Sequence, residues 1–80
     1  MDIYFVLPDG AEIKVGMITP PRIGDKVSLS KIEKRDYLDK AEYNFEHQLK
    51  KYIVEDVTWL PMSGNFTFAH VELKEIISEA

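Results

Sequence analysis

The fold of this chain is decided at residues 52–73, whose sequence is YIVEDVTWL-PMSGN-FTFAHVEL. The two outer runs are rich in β-branched and aromatic residues, and the turn formers at residues 61–65 separate them. Two such runs joined by a short loop with a glycine predict a β-hairpin. Large aromatic side chains remove much apolar area from water, and the only tryptophan, Trp59, lies here. We therefore expect this hairpin to form the wall of the core, with Trp59 largely buried.

A shift in the alternation of the first run predicts a β-bulge. Val54 and Val57 are three residues apart, and Trp59 follows two residues later. An extra residue in the strand at Glu55 and Asp56 would bring all three apolar side chains onto one face. We expect that face to point to the core.

The start of the chain predicts a second hairpin and a short third strand. Residues 2–7, DIYFVL, and residues 11–18, AEIKVGMI, are predicted strands on either side of the turn signal Pro8-Asp9-Gly10. Alternate positions place apolar side chains on one face of each strand: Ile3, Phe5 and Leu7 in the first, and Ile13, Val15 and Met17 in the second. Residues 19–25, TPPRIGD, follow as a loop, because two prolines cannot lie inside a central strand. The third strand is predicted at residues 26–29.

The segment at residues 21–27, PRIGDKV, has a recognisable pattern. It resembles the Pro-x-x-Gly-Asp-x-Val segment of small SH3-like β-barrel domains, and the same segment in small proteins from bacteria and their phages. This pattern is a turn followed by a strand and has no catalytic residue. The resemblance implies a barrel fold, and it makes a phage or mobile-element origin an expectation.

Residues 30–51 allow two interpretations. Glycine and proline are absent, and apolar residues recur there at helical spacing: Leu38, Ala41, Phe45 and Leu49. This pattern predicts one helix near residues 34–49, with an apolar stripe that would lie across an open end of the sheet. The alternation of Tyr43 and Phe45 also allows a long ordered insertion within a β-hairpin.

These elements define the predicted fold class, which is mainly β with one helix. The expected architecture is a small SH3-like barrel or a bent five-stranded antiparallel sheet, in the order β-β-β-α-β-β. Residues 1–80 are expected to make one small domain, given their number. No cysteine is present, so no disulfide contributes to the stability of the domain.

Composition and charge argue against several classes of protein. The chain is 45% hydrophobic and 30% charged, as in soluble globular proteins. No apolar run approaches the roughly 20 residues of a membrane span, and residues 1–4 lack the features of a signal peptide. We therefore expect a cytoplasmic protein that does not bind membranes. The net charge of −4 provides no domain-wide positive field for a nucleic-acid backbone.

The sequence offers no recognisable catalytic or metal-binding constellation. His47 and His70 have no Asp, Glu or His at a ligand spacing, so each is expected on the surface or at a rim. Glu55 and Asp56 are adjacent in a strand and should point to opposite faces rather than form a catalytic pair. No phosphate loop, dinucleotide motif or nucleophile motif is present. The chain is therefore predicted not to be an enzyme and to bind no metal or cofactor.

One cationic segment raises nucleic acid as an alternative partner. Basic and aromatic residues interleave there: Lys31, Lys34, Arg35, Tyr37, Lys40 and Tyr43. Small barrels bind single strands with such combinations of cations and stacking rings. Five acidic residues lie among them between residues 33 and 46, however, as on a solvated helix face. The alternative function is a single-stranded nucleic-acid-binding barrel, and we expect no such binding near physiological salt.

The preferred hypothesis is a non-catalytic protein-binding module. If Ala69, Val71 and Leu73 face the core, the alternate residues of the last strand face away from it. This predicts a binding face made by Phe66, Phe68 and His70, with Tyr52 as a cross-strand neighbour.

The partner in this hypothesis is an unidentified protein, such as a host protein that a phage or mobile-element protein binds or inhibits. A homodimer through the same face is a variant of it. The competing interpretations are that the helix at residues 34–49 covers this face, or that the register slips at Asn65 and places Phe66 in the core.

Overall fold

The computed structural model describes residues 1–38, 43–62, 64 and 67–77. The elements follow the predicted order of three strands, a helix and two strands. They are β1 (Asp2–Val6), β2 (Glu12–Gly16), β3 (Lys26–Ser28), a 3-10 turn (Lys34–Asp36), α1 (Glu46–Leu49), β4 (Lys51–Pro61) and β5 (Thr67–Glu75).

The five strands form one sheet in the order β2-β1-β5-β4-β3, which curls into a half-barrel. This confirms the mainly β, barrel-like fold class. The two predicted hairpins are present, since β1 pairs antiparallel with β2 and β4 pairs antiparallel with β5. The hairpins meet at the centre of the sheet, where Ile3 of β1 lies opposite Ala69 of β5.

The central pairing differs from the prediction of a fully antiparallel sheet. Strands β1 and β5 run parallel, so the sheet is mixed. Parallel neighbours cannot be joined by a tight turn and need a long crossover connection. Residues 17–50, with β3 and α1, supply most of that connection here.

The core lies on the concave side of the sheet and follows the predicted alternation. Ten apolar side chains are buried there: Ile3, Phe5, Leu7, Ile13, Leu29, Tyr52, Val54, Ala69, Val71 and Leu73. The inward assignments of β1 and β5 are therefore confirmed.

The helix is much shorter than the predicted span of residues 34–49. After the 3-10 turn the chain becomes extended, because Tyr37 forms an antiparallel bridge with Ile13 and the Leu38 N–H donates to the Glu12 carbonyl at 3.0 Å. The predicted apolar stripe does not pack either, since the Phe45 and Leu49 side chains are exposed. Residues 39–42, which include Ala41 of that stripe, lie outside the described part of the chain.

The predicted bulge in β4 is present, but the predicted burial of Trp59 is wrong. The register shifts between Val54 and Asp56, and Val57 and Trp59 then lie opposite Val71 and Ala69. All three apolar side chains of β4 thus point to the concave side, as expected. Trp59 is nevertheless 54% exposed. Among the described residues, the strand on the second side of β4 is β3, and it pairs only with residues 51–53.

Candidate functional site

Two of the four residues of the predicted binding face lie together on the sheet. Phe68 and His70 lie on the convex side of β5, and both pack against Tyr4 of β1 with ring centroids 5.8 and 5.3 Å apart. All three side chains are half-buried. Phe66, and with it the proposed slip at Asn65, lies outside the described residues. The convex face therefore carries a small aromatic cluster of Tyr4, Phe68 and His70.

Tyr52 does not belong to this face, contrary to the prediction. It is 2% exposed and lies in the core. Tyr52 and Val54 are two residues apart on β4, so their side chains share the concave side. Burial, followed by the nearby Glu75 carboxylate, raises the pKa of Tyr52 to about 12.

The segment that contains α1 lies at the end of the sheet, beside the β1–β2 turn. There His47 of α1 is buried at 3% exposure, so its predicted surface position is wrong. Its Nε2 lies 2.7 Å from Asp9 Oδ2, and its Nδ1 lies 2.6 Å from the Tyr37 hydroxyl. The Asp9–His47–Tyr37 cluster thus ties the turn, the extended segment and α1 together.

The electrostatics of this cluster favour an ionised Asp9. Partial burial alone would raise the pKa of Asp9, but four favourable interactions together lower it. They are a hydrogen bond from the Ala11 N–H, a hydrogen bond with His47, the electrostatic attraction of that imidazole, and a hydrogen bond from the backbone N–H of Asp9 itself. Burial raises the pKa of Tyr37, so its hydroxyl keeps its proton in the neutral range.

A carboxylate–imidazole–phenol chain resembles a proton relay, but this one has little space beside it. The adjoining cavity is about 60 Å³ and is lined by Pro8, Asp9, His47, Lys50, Tyr52 and Glu75. Binding sites for small molecules are usually about 300–1,000 Å³. Both imidazole nitrogens already have partners within the protein. The geometry is that of an internal connection between elements.

The cationic segment is only partly available for stacking. Arg35 is paired with Glu33 at 2.8 Å, and Lys31 and Lys34 are exposed. Tyr37 is half-buried, with its ring stacked on His47 and the edge of Tyr43 against it. Lys40 lies outside the described residues.

A groove that the sequence did not predict lies between β4 and the loop before β3. Its volume is about 620 Å³. The lining residues are Thr19, Pro20, Pro21, Arg22, Ile23, Val57 and Trp59. Ile23 is 65% exposed and Trp59 is 54% exposed, so the groove presents two large apolar side chains to solvent.

The groove exists because the loop cannot continue β3 along β4. The last backbone bonds between the two segments join the Gly24 N–H to the Val54 carbonyl and the Val54 N–H to the Asp25 carbonyl, each at 2.9 Å. Beyond them, Pro20 and Pro21 have no N–H groups to donate. Gly24 turns the chain with φ of +94°, which favours glycine, and Asp25 Oδ2 accepts the Arg22 N–H at 2.8 Å.

The groove borders the part of β4 that follows the bulge, on the side away from β5. The Val57 N–H, which would otherwise point to an adjacent strand, is bonded to the Asp56 side chain at 2.9 Å. No backbone partner of Val57 or Trp59 on this edge is found among the described residues. A sequence signal existed, since two prolines before a short strand predict an unpaired stretch on its neighbour.

Comparisons with known proteins do not assign a family. No protein family, curated protein or solved structure matches the chain. Within residues 1–38, 43–62, 64 and 67–77, no group of three or more His, Asp or Glu side chains is placed to hold a metal ion. The helices in that part of the chain are too short to cross a membrane.

Proposed function

We propose that this protein is a non-catalytic protein-binding module and that the groove beside Trp59 is its contact site. One observation carries the proposal: a tryptophan, the residue type expected in the core, stands 54% exposed in a groove of about 620 Å³. Exposed apolar patches bordered by polar residues are typical of interaction sites.

The composition of the groove supports a protein partner. Tryptophan and arginine are the residues that most often dominate binding energy in interfaces, and the groove contains Trp59 and Arg22. Pro20 and Pro21 hold the opposite wall in a restricted backbone conformation, so little entropy is lost when a partner binds. The groove is therefore a preformed apolar site with one cation at its wall.

Two further features favour binding over catalysis or nucleic acid. The imidazole of His47 is buried between Asp9 and Tyr37 and is not presented to a ligand. The groove has a single basic lining residue, Arg22, and exposed acidic residues lie close to its lining in the sequence at Asp25 and Asp56, which opposes a phosphate backbone. A single-stranded nucleic-acid function would need the cationic segment, where Tyr37 is already engaged.

The origin and location in this proposal follow from the sequence. The segment that resembles those of bacterial and phage proteins, residues 21–27, contributes Pro21, Arg22 and Ile23 to the groove wall. The partner we infer is accordingly a host protein met in the cytoplasm, which this chain binds or inhibits.

The test compares two adjacent residues of one strand. Trp59 faces the groove, and Leu60 lies on the convex side opposite Phe68. Tagged wild type, Trp59→Ala and Leu60→Ala would each be used to recover partners from bacterial lysate, and affinities would then be measured with the purified partner. We expect Trp59→Ala to weaken binding by about 30-fold or more, as for an interface hot spot. Equal affinities for wild type and Trp59→Ala would contradict the proposed site.

A further inference from the structure

We propose that the partner binds by strand addition: an extended segment of the partner pairs with the open edge of β4. This inference rests on the proposed function and specifies how the groove is used. It predicts a partner segment with apolar side chains at alternate positions and a basic side chain at the end that lies near the bulge.

The two sides of β4 are paired over different lengths of the strand. The strand runs from Lys51 to Pro61 and pairs with β5 along most of its length. On its other side, β3 pairs only with residues 51–53. Within the part of the chain that the structure describes, the stretch of β4 after the bulge is therefore an edge, and an edge offers a row of backbone donors and acceptors to another chain.

The backbone N–H and C=O groups of Val57 and Trp59 point away from β5. Successive residues of a strand point their N–H and C=O groups to opposite sides. The Val57 N–H bonds to the Asp56 carboxylate and therefore does not point to β5. Alternation gives Trp59 the same direction, so the N–H and C=O groups of both residues point to the open edge. An added strand would take the Val57 N–H in place of the Asp56 carboxylate.

The chain's own loop at residues 19–23 cannot pair with this edge of β4. The loop that approaches it contains Pro20 and Pro21, which cannot donate to a ladder. Nothing restricts a partner segment in this way. Only an extended chain can satisfy donors and acceptors at strand spacing, which is why we infer a peptide segment rather than a folded surface or a small molecule.

The groove and the carboxylates near the bulge set the side chains that a partner segment would need. In an added strand, every second side chain would point to the concave side and enter the groove between Trp59 and the prolines. At the other end, Asp25 is bonded through its backbone to Val54, and Glu55 and Asp56 are exposed beside it. Three carboxylates at this end favour a basic residue in the partner.

A second copy of this chain fits the edge less well. If two β4 edges paired antiparallel, their concave faces would lie on the same side of the joined sheet. Both loops at residues 19–23 would then compete for the space above the joint. Self-association is therefore an alternative outcome of the test.

The experiment starts from a phage-displayed library of random peptides of about 12 residues, longer than a typical strand. The library is selected on the immobilised full chain. The best peptide is then synthesised with an N-methyl group at one backbone amide at a time. Its affinity is followed through the fluorescence of Trp59, the only tryptophan. We expect N-methylation at every second amide to weaken binding by about tenfold or more, with little effect at the amides between them.

Matched variants locate the site on the protein. Trp59→Lys places a charge on the groove side of the edge, whereas Leu60→Lys places it on the convex side of the same strand. Binding to both variants is measured by titration calorimetry, because Trp59→Lys removes the tryptophan that reports on binding. We expect Trp59→Lys to abolish peptide binding and Leu60→Lys to preserve it, with similar melting temperatures for both variants.

Three results would overturn the inference. Loss of affinity with no alternation along the peptide, or no enriched peptide at all, would remove strand addition and leave the proposed function standing if partner capture still depends on Trp59. Sedimentation that shows a dimer disrupted by Trp59→Lys would replace the peptide with a second copy. If neither peptides nor captured partners depend on Trp59, the proposed function fails as well.

Discussion

The two halves of β4 have similar residues and different environments. Tyr52 and Val54, before the bulge, are almost fully buried. Tyr52 lies between β3 and β5, and Val54 lies between β5 and the turn at Gly24 and Asp25. Val57 and Trp59, after the bulge, point to the same concave side, yet Val57 is half-buried and Trp59 is exposed. The difference shows that burial in this sheet is set by the number of neighbouring strands more than by side-chain type.

The largest expected effect is at Tyr52, in the half that is enclosed. Tyr52→Ala should lower the free energy of unfolding by about 3–5 kcal/mol, because it removes a buried aromatic ring and leaves a cavity. Urea denaturation would measure the change. Tyr52→Phe is the matched control and should stay close to wild type. A small effect of the alanine variant would mean that the enclosed half is not the centre of stability.

The next effect distinguishes the two histidines. His47→Ala should cost about 1–3 kcal/mol, since it removes a buried side chain and leaves the hydroxyl of the half-buried Tyr37 without its partner. His70→Ala, on the half-buried convex face, is the control and should cost less. Thermal melting would measure both variants. Equal melting temperatures for His47→Ala and His70→Ala would contradict the connecting role of His47.

A smaller effect on stability depends on pH and comes from Asp9 in the Asp9–His47–Tyr37 cluster. Because the pKa of Asp9 is lowered in the folded state, its contribution to stability is fully present above its unfolded pKa of about 4. That contribution is lost as pH falls through the lower folded pKa. The difference in unfolding free energy between wild type and Asp9→Ala should therefore shrink below about pH 4. A difference that stays constant to pH 2 would rule out this linkage.

The smallest effect on stability is at Trp59, in the open half. Trp59→Ala should change the free energy of unfolding by less than about 1 kcal/mol, because half of the side chain is already in water. A loss as large as that of Tyr52→Ala would show that the groove is closed in solution, and the difference between the two halves of β4 would disappear.

Local patterns predicted the strands of this fold well. The alternation of Ile3, Phe5 and Leu7 and the irregular spacing of Val54, Val57 and Trp59 identified the concave side and the bulge, since both depend only on residues close in sequence. These patterns show which side of a sheet a residue faces. They do not show whether another element covers that side.

The errors arose where distant residues decide the outcome. Trp59 is exposed because Pro20 and Pro21, far away in the chain, end the pairing of its neighbour. His47 is buried because a turn at Asp9 and an extended residue at Tyr37 meet it in space. The helical spacing after residue 34 does not produce a long helix, because Tyr37 pairs with Ile13 of β2 and tertiary pairing overrides weak helix propensity.

The parallel pairing of β1 with β5 has a consequence for the kinetics of folding. It joins residues 2–6 to residues 68–72, so the two central strands are separated by most of the chain. Closing so large a loop costs entropy before any contact compensates for it, and folding rates fall as the mean sequence separation of contacts rises. Each hairpin can form early from local contacts, but the central seam must wait until both are present. We therefore expect slow, late closure of the sheet, with the edges of two separate hairpins exposed until that step is complete.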